Sequence, residues 1–550
     1  MITYKIPDKN TYENYYVTEC KLIGTDDSAN IEVTMGREAN ILRAKCKSDK
    51  KFCANKFVMK FRYDYCEGDK IYVNGYQSWT DSFEYGITDK MYSPAPLMKA
   101  FLAGPLGKAT GVSNAGDLPI LKFKNVPGKF YGFSYAYVRR GNAIDLIGSL
   151  SERTGYTVIE FDVKQNEITI WKDLEGKEFG AGENLLADLG FFSGDYEDAF
   201  DAYFNAMNIA PFKRKLLTGY TTWYNYYNNI DCKIVMRDLQ AIGRLPQKVD
   251  IFQIDDGYQR AIGDWLNTDK AKFADGMKPV AQSIHAKGML AGIWLAPFAV
   301  TQKSFIYKEH KDWLVRNRKG KLVKAGANWG GFYSLDIYNP EARRYVEKVF
   351  DTVLSDWGYD LVKLDFLYCA CIEPIHGKSR GEIMCDAMDL LRKCCKDKLI
   401  LGCGVPLAPA FGKVDYCRIG PDISLEWGKR KYDSREGVSI IHAMLNSVFR
   451  RHLDGRAFGN DPDVFLLRDN NIRLNKEQKK TLAECNKLTG KVLFTSDNVD
   501  DYDDEKKKII AKVFDGNVPT ILSAEFDDNI LRIEYRQKDD IDVFIADMRY

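Results

Sequence analysis

The chain has 550 residues, too many for one core, since single cores stop growing near roughly 250–300 residues; two or three domains are expected. Hydrophobic residues make up 45% and charged residues 28%, an ordinary balance for a globular protein, and the net charge of +2 gives no electrostatic ground for a nucleic-acid or anionic-membrane partner. No apolar run of about 18 residues is present, Met1-Ile2-Thr3-Tyr4-Lys5 lacks a signal-peptide pattern, and the 13 irregularly spaced cysteines suit reduced thiols, so a cytoplasmic location is expected.

Residues 1–205 read mainly as β. Segments such as Lys56–Tyr63 and Glu167–Trp171 are rich in β-branched and aromatic residues, and Gly, Asn and Asp punctuate them at short intervals. That pattern predicts an antiparallel β-sandwich. A helix over Tyr196–Met207 leads out of it. From about 215 short apolar strands alternate with amphipathic helices, the signature of a parallel α/β domain. Eight strands are predicted: Leu217–Trp223, Asp250–Asp255, Leu290–Ala296, Asp360–Asp365, Leu399–Cys403, Tyr416–Ile419, Ala457–Asp461 and Val492–Asp497. Asn339-Pro340-Glu341 starts a helix, with Asn as cap and Pro in the first turn. Its inward stripe is Val346, Val349, Phe350, Val353 and Trp357. A second helix, from about Ser379 to Cys395, turns Ile383, Ala387, Leu390 and Leu391 inward. Eight strands with their helices in about 280 residues fit a central (β/α)8 TIM barrel, assigned to 206–490. The long third connection carries a hairpin around Trp313–Lys321 and belongs on the rim of the active-site face. Residues 491–550 hold the last barrel strand and helix. A small antiparallel C-terminal β domain follows, turning at Asp527-Asp528-Asn529.

Catalytic groups of such barrels sit at the C-terminal ends of strands. Four predicted strand ends carry acids: Asp255-Asp256, Asp365, Asp422 and Asp461/Asp463. Each alone could cap the following helix; together they fit acid/base hydrolysis. Lys363 and Asp365 are two apart on a strand and share a face, either as an ion pair inside the barrel or as a carboxylate kept ionised for attack. Arg418 precedes Asp422 by four residues across a Gly-Pro turn that lifts Asp422 into the mouth. None of the five histidines has a zinc spacing. There is no P-loop, and Leu407 replaces the last glycine of a dinucleotide loop at Gly402-Cys403-Gly404. No metal and no cofactor is expected.

The motifs Gly219-Tyr220-Thr221-Thr222-Trp223-Tyr224, Gln253-Ile254-Asp255-Asp256-Gly257-Tyr258, Lys363-Leu364-Asp365-Phe366, Arg418-Ile419-Gly420-Pro421-Asp422, Asn460-Asp461-Pro462-Asp463 and Asn74-Gly75-Tyr76-Gln77-Ser78-Trp79 occur in order along nearly the whole chain. In them the chain resembles the bacterial α-galactosidases of glycoside hydrolase family 36. The resemblance implies a retaining double displacement, with Asp365 as nucleophile and Asp422 as acid/base. It also implies that Asp255 and Asp256 clamp galactose hydroxyls, that Lys363 and Arg418 are sugar-contacting cations, and that Cys403 and Trp79 line the pocket. Trp294 belongs to the pocket wall, whereas Trp223 serves either the pocket or barrel packing. The implied substrate is a small α-galactoside or oligosaccharide. A homo-oligomer is compatible, and Trp79 could act in its own chain's site or in a partner's. Within the family, α-N-acetylgalactosaminidase and α-galactosyl transferase are the rivals. Outside it, the rival is a non-catalytic carbohydrate-binding protein, which would be expected to lack Asp365 or Asp422.

Overall fold

The computed structural model describes residues 2–3, 11–12, 14–25, 29–114, 116–210, 212–428 and 437–549. Met1, Tyr4 and Lys5, on which part of the reading of the N-terminus rests, lie outside the described residues.

Two seven-stranded antiparallel sheets form the N-terminal sandwich. Alternation builds it: Phe52–Arg62 turns Phe52, Ala54, Phe57, Met59 and Phe61 into the core while its other side chains face outward or the edge. This strand pairs with Glu167–Phe179 on one side and Tyr15–Ile23 on the other. The helix Tyr196–Ala206 follows, capped by the Asp195 carboxylate on Glu197 N. One region departs from the expected β pattern. Between the strands Phe83–Gly86 and Lys129–Phe133 the chain forms two short helices, Pro96–Ala103 and Pro105–Thr110. Each has a proline in its first turn, where a missing N–H costs nothing.

All eight parallel strands are present: Leu217–Thr221, Ile251–Ile254, Leu290–Leu295, Leu361–Leu364, Leu399–Gly402, Tyr416–Arg418, Gly459–Asp461 and Val492–Thr495. They are called strands one to eight below. Each lies beside its sequence neighbours, and strand eight returns to pair with strand one, Leu217 opposite Val492. Strands seven and eight close the ring without a ladder. Lys491 N donates to Asn460 O at 2.8 Å, and Phe465 bridges Thr495. Except at the first residues of strands three and five, these strands are buried throughout, which is why they read as short apolar runs and not as alternations. Seven of them end one to two residues before the predicted C-terminus, and strand seven ends at Asp461 as predicted.

Both expected helices form, the first with the cap read from the sequence and the second capped by Ser379. Asn339 Oδ1 accepts from Glu341 N and Ala342 N, and Ser379 accepts from Glu382 N. Of the first helix's stripe Val346, Val349, Phe350 and Val353 are buried, with Trp357 partly so. The long third connection forms a small sheet of Ala299–Thr301, Phe332–Ser334 and Lys324–Gly326, and its hairpin closes where Asn317 N donates to Lys321 O at 2.9 Å. The C-terminal sheet, Thr520–Asp527, Ile530–Gln537 and Asp540–Asp547, turns at Asp528 and Asn529, both with positive φ. Phe526 packs edge-on against Phe83 of the sandwich at 5.5 Å.

Among the buried side chains that join sandwich and barrel is one that the sequence reading did not single out. Arg450, at the end of the helix Ile440–Phe449, is fully buried. Its Nη1 donates to Ser78 O (2.6 Å) and Ile419 O (2.7 Å), its Nη2 to Gln77 O (3.0 Å) and Thr80 O (2.9 Å), and its Nε to Asn74 Oδ1 (3.3 Å). All five guanidinium N–H groups are thereby used. The loop Asn74–Trp79 is held over the barrel mouth, where Ser78 N donates to Val405 O at 2.9 Å.

Candidate active site

Strand two carries Gln253 and leads directly into Asp255 and Asp256. Gln253 and Asp255 are two apart on the strand and point the same way, so the Gln253 amide donates to Asp255 Oδ2 at 2.8 Å. Lys363 Nζ, from strand four, donates to the same oxygen at 2.9 Å, and Asp256 N donates to Asp255 Oδ1 at 2.9 Å. Burial works against the Lys363 charge. The Asp255 carboxylate outweighs it and holds the lysine pKa above its ordinary value. Asp256 accepts from Gln259 Nε2 at 2.5 Å and from Trp329 Nε1 at 3.4 Å, and burial raises its carboxyl above the usual range.

Asp365 follows strand four. Its Oδ1 accepts from Phe366 N at 2.8 Å and its Oδ2 from Trp294 Nε1 at 3.1 Å. Burial raises its carboxyl, while Lys363 and the Trp294 hydrogen bond pull it down and Asp422 pushes it up again. Lys363 therefore does favour the charged form of Asp365, but its hydrogen bond goes to Asp255. The tryptophan supplies the direct donor.

Asp422 stands past strand six with its side chain 39% exposed. Arg418 lies behind it, 3% exposed, and is committed to carboxylates: Nη1 to Asp422 Oδ1 at 2.8 Å, Nη2 to Asp463 Oδ1 at 2.8 Å, Nε to Asp461 Oδ2 at 3.4 Å. Asp463 also accepts from Ile423 N at 2.9 Å and from the Tyr224 hydroxyl. Burial pushes its carboxyl up to about 7 against the pull of Arg418. This buried network fixes the Gly420-Pro421 turn and so aims Asp422.

A cavity of about 490 Å³ opens at the C-terminal ends of the strands. Asp255, Asp256, Trp294, Lys363 and Asp365 form its buried floor, with Asp422 and Trp223 on the wall. Trp223 thus faces the cavity, from the first turn of the short helix Trp223–Tyr226 and not from the strand. Trp79 reaches the same cavity from the sandwich of the same chain, its ring edge-on to Phe366 at 5.2 Å. It lies on Gly404, where a Cβ would come within 2.8 Å of the indole, and Gly404 has a φ of 55°. Arg418 and Cys403 do not line the cavity but sit directly beneath it, Cys403 buried beside Asp365. Trp329, Gln253 and Gln259 complete the floor's hydrogen bonding and were not foreseen. Gln253 could have been found by its i, i+2 relation to Asp255. Trp329 could not, because a long connection brings it in. Among the described residues no group of three or more His, Cys, Asp or Glu is arranged to hold a metal ion, and no helix is long and apolar enough to cross a membrane.

Fold and site together define a (β/α)8 barrel with carboxylates gathered at the strand ends around one cavity. Residues 218–377 match the Melibiase family model. An alpha-galactosidase of Escherichia coli is 31% identical over 263 residues, 42% of this chain and 35% of that one. The chain spans about a third of the length of the curated relatives it matches. Among solved structures, the alpha-galactosidase TtGalA from Thermus thermophilus, in complex with p-nitrophenyl alpha-D-galactopyranoside, superposes with a TM-score of 0.72 at 22% identity, covering 95% of this chain and 98% of that one. The GH36 alpha-galactosidase AgaA from Geobacillus stearothermophilus gives a TM-score of 0.56 at 10% identity, covering 98% and 79%.

Proposed function

We propose that the chain is a retaining, exo-acting α-galactosidase that removes terminal α-D-galactosyl residues from small galactosides. The observation that carries this reading is the pairing of Asp365 and Asp422 on one cavity above the Asp255–Asp256–Lys363 floor. A retaining mechanism needs two carboxyl groups about 5–5.5 Å apart, one as nucleophile and one as proton donor. Asp365 is buried and its carboxylate is oriented by Trp294 and Phe366 N. It attacks the anomeric carbon. Asp422 lies toward solvent, where the leaving oxygen departs, and gives that oxygen its proton. In the second half-reaction Asp422 takes a proton from water, whose oxygen displaces Asp365 from the anomeric carbon. Asp255 and Asp256 keep acceptor capacity toward the cavity for vicinal sugar hydroxyls. An epimer would leave such buried acceptors unpaired. A floor closed by Trp294, Lys363 and Asp365 favours a terminal residue over an internal one.

The neighbouring structures in complex with stachyose and raffinose support oligosaccharides as the substrate class. The thirteen free cysteines support a reducing compartment, the cytoplasm. The test is the ratio of kcat/KM for p-nitrophenyl α-D-galactoside to that for its α-N-acetylgalactosaminide. A large excess of the first is expected. Faster turnover of the second would overturn the choice of sugar, and no turnover of either would favour a binding protein.

A further inference from the structure

Asp463 is 1% exposed, does not line the cavity and takes no part in either half-reaction. It stands at a φ of 78°, a left-handed conformation that a side chain rarely adopts. Contacts hold it there. Its N donates to Asp461 Oδ1 at 2.9 Å, and its carboxylate accepts from Arg418 Nη2 at 2.8 Å, from Ile423 N at 2.9 Å and from the Tyr224 hydroxyl. Three donors around one carboxyl suit its charged form. The charge count works the other way. Arg418 is the one cation bonded to Asp422, Asp461 and Asp463. With all three carboxyls ionised, the network would carry two uncompensated negative charges, although Asp461 and Asp463 are almost without water. Lys363 lies near Arg418 but gives its hydrogen bond to Asp255. Burial, with Asp422 and Asp461 beside it, accordingly raises Asp463 to about 7 against the pull of Arg418 and Tyr224. Among the described residues, the other titratable groups facing Asp422 are Asp365, Cys403, Tyr224 and Tyr227, and none of them brings positive charge.

We propose that Asp463 and Asp422 hold one proton between them across Arg418, which makes Asp463 the positioning residue that keeps an acid available at the leaving oxygen. The inference rests on the α-galactosidase reading, with Asp422 as its acid/base, and deepens it. The acid step needs a protonated Asp422, yet Arg418 at 2.8 Å favours the carboxylate. Asp463 offsets that pull. Two carboxyls on one guanidinium repel, so once one ionises the other keeps its proton more firmly. The three donors on Asp463 suit it to be the ionised member. Asp422 meets Arg418 through Oδ1, which leaves Oδ2 to present the proton to the cavity. That proton goes from Asp422 to the leaving oxygen, and the water of the second half-reaction replaces it. Asp463 exchanges nothing with the substrate. Without its charge, Arg418 turns to Asp422 and Asp461 alone, and the acid-dependent reaction fails at a lower pH.

The test is the pH profile of kcat/KM of the full chain for two substrates. Methyl α-D-galactoside needs a proton on its leaving oxygen, and α-galactosyl fluoride releases fluoride without one. In Asp463→Asn the alkaline limb for the methyl galactoside should move at least about one unit to lower pH, and the methyl-to-fluoride ratio at about pH 7 should fall at least about tenfold. Tyr224→Phe removes a donor that favours the charged form of Asp463. The network then keeps its proton to higher pH, but on Asp463. In that variant the limb should move up, while the ratio below it falls about threefold or more. A purely structural role for either side chain would lower both substrates together. An unmoved limb and ratio in an Asp463→Asn chain that still turns over the fluoride would overturn the inference, and so would a limb that moves up. If Asp463→Asn does not fold, as circular dichroism would show, Tyr224→Phe decides, and an unchanged ratio there overturns the inference. Failure of the native chain to turn over α-galactosyl fluoride is a separate outcome, which would remove the α-galactosidase reading itself.

Discussion

Replacing Arg450 by leucine should unseat the loop that carries Trp79. The guanidinium holds the backbone carbonyls of Gln77, Ser78 and Thr80 from the sandwich and of Ile419 beside the Arg418–Asp422 turn. Leucine fills part of the volume but leaves these four acceptors without the donor. A buried acceptor without its donor costs about 1–3 kcal/mol. At the low end, allowing for water entering the gap and for the relief of a desolvated charge, the loss is about 4 kcal/mol. In a thermal melt that is a drop of about 5–10 °C. Trp79 and Asp422 both depend on these carbonyls, so KM for an aryl α-galactoside should rise and kcat should fall in the same variant. Arg450→Lys, with three donors, should recover part of both. A leucine variant that melts within about 2 °C of the native chain, with unchanged KM and kcat, would refute the role of Arg450 in holding the Trp79 loop.

Two further substitutions probe the floor. Lys363→Met leaves the Asp255 carboxylate buried without its cation, a loss of about 3–5 kcal/mol when one partner of a buried pair is removed; kcat/KM should fall at least about a hundredfold, and unchanged kcat/KM would contradict the clamp. Trp294→Phe removes the donor that lowers the Asp365 pKa. Because that hydrogen bond favours the ionised form, its loss raises the pKa, and the acid limb of the kcat/KM profile should move to higher pH. Movement to lower pH, or none, would separate that limb from Asp365.

The barrel was legible because physics forces its pattern. Strands buried on both faces become short apolar runs, and strand ends that must face water and substrate become Asp255, Asp365 and Asp422. The Asn339 cap was legible for the same local reason. What long-range contact decides was not. Arg450 follows an apolar helix and looks in sequence like a cation favouring the helix C-terminus; only the fold reveals the carbonyls it meets. Trp329 enters from the long connection between strands three and four, and its approach to Asp256 has no spacing that could announce it. The helices at 96–110 were lost inside a β-rich region. Their signal, a proline opening each and glycines closing them, is short, and an exposed apolar helix lacks the two-faced period that sequence reading relies on.

The most direct measurement is rescue by azide with the anomer of the product identified. Asp365→Ala should lose about three or more orders of magnitude in turnover of p-nitrophenyl α-D-galactoside, and azide should restore it with β-galactosyl azide as product, the ion entering from the face the carboxylate has vacated. Asp422→Ala should instead give α-galactosyl azide, because the glycosyl-enzyme on Asp365 still forms and azide attacks it from the opposite side. These two products with opposite anomeric configuration are the predicted result. Substantial residual activity in Asp365→Ala, or the same anomer from both variants, would contradict the assignment of nucleophile and acid/base to Asp365 and Asp422.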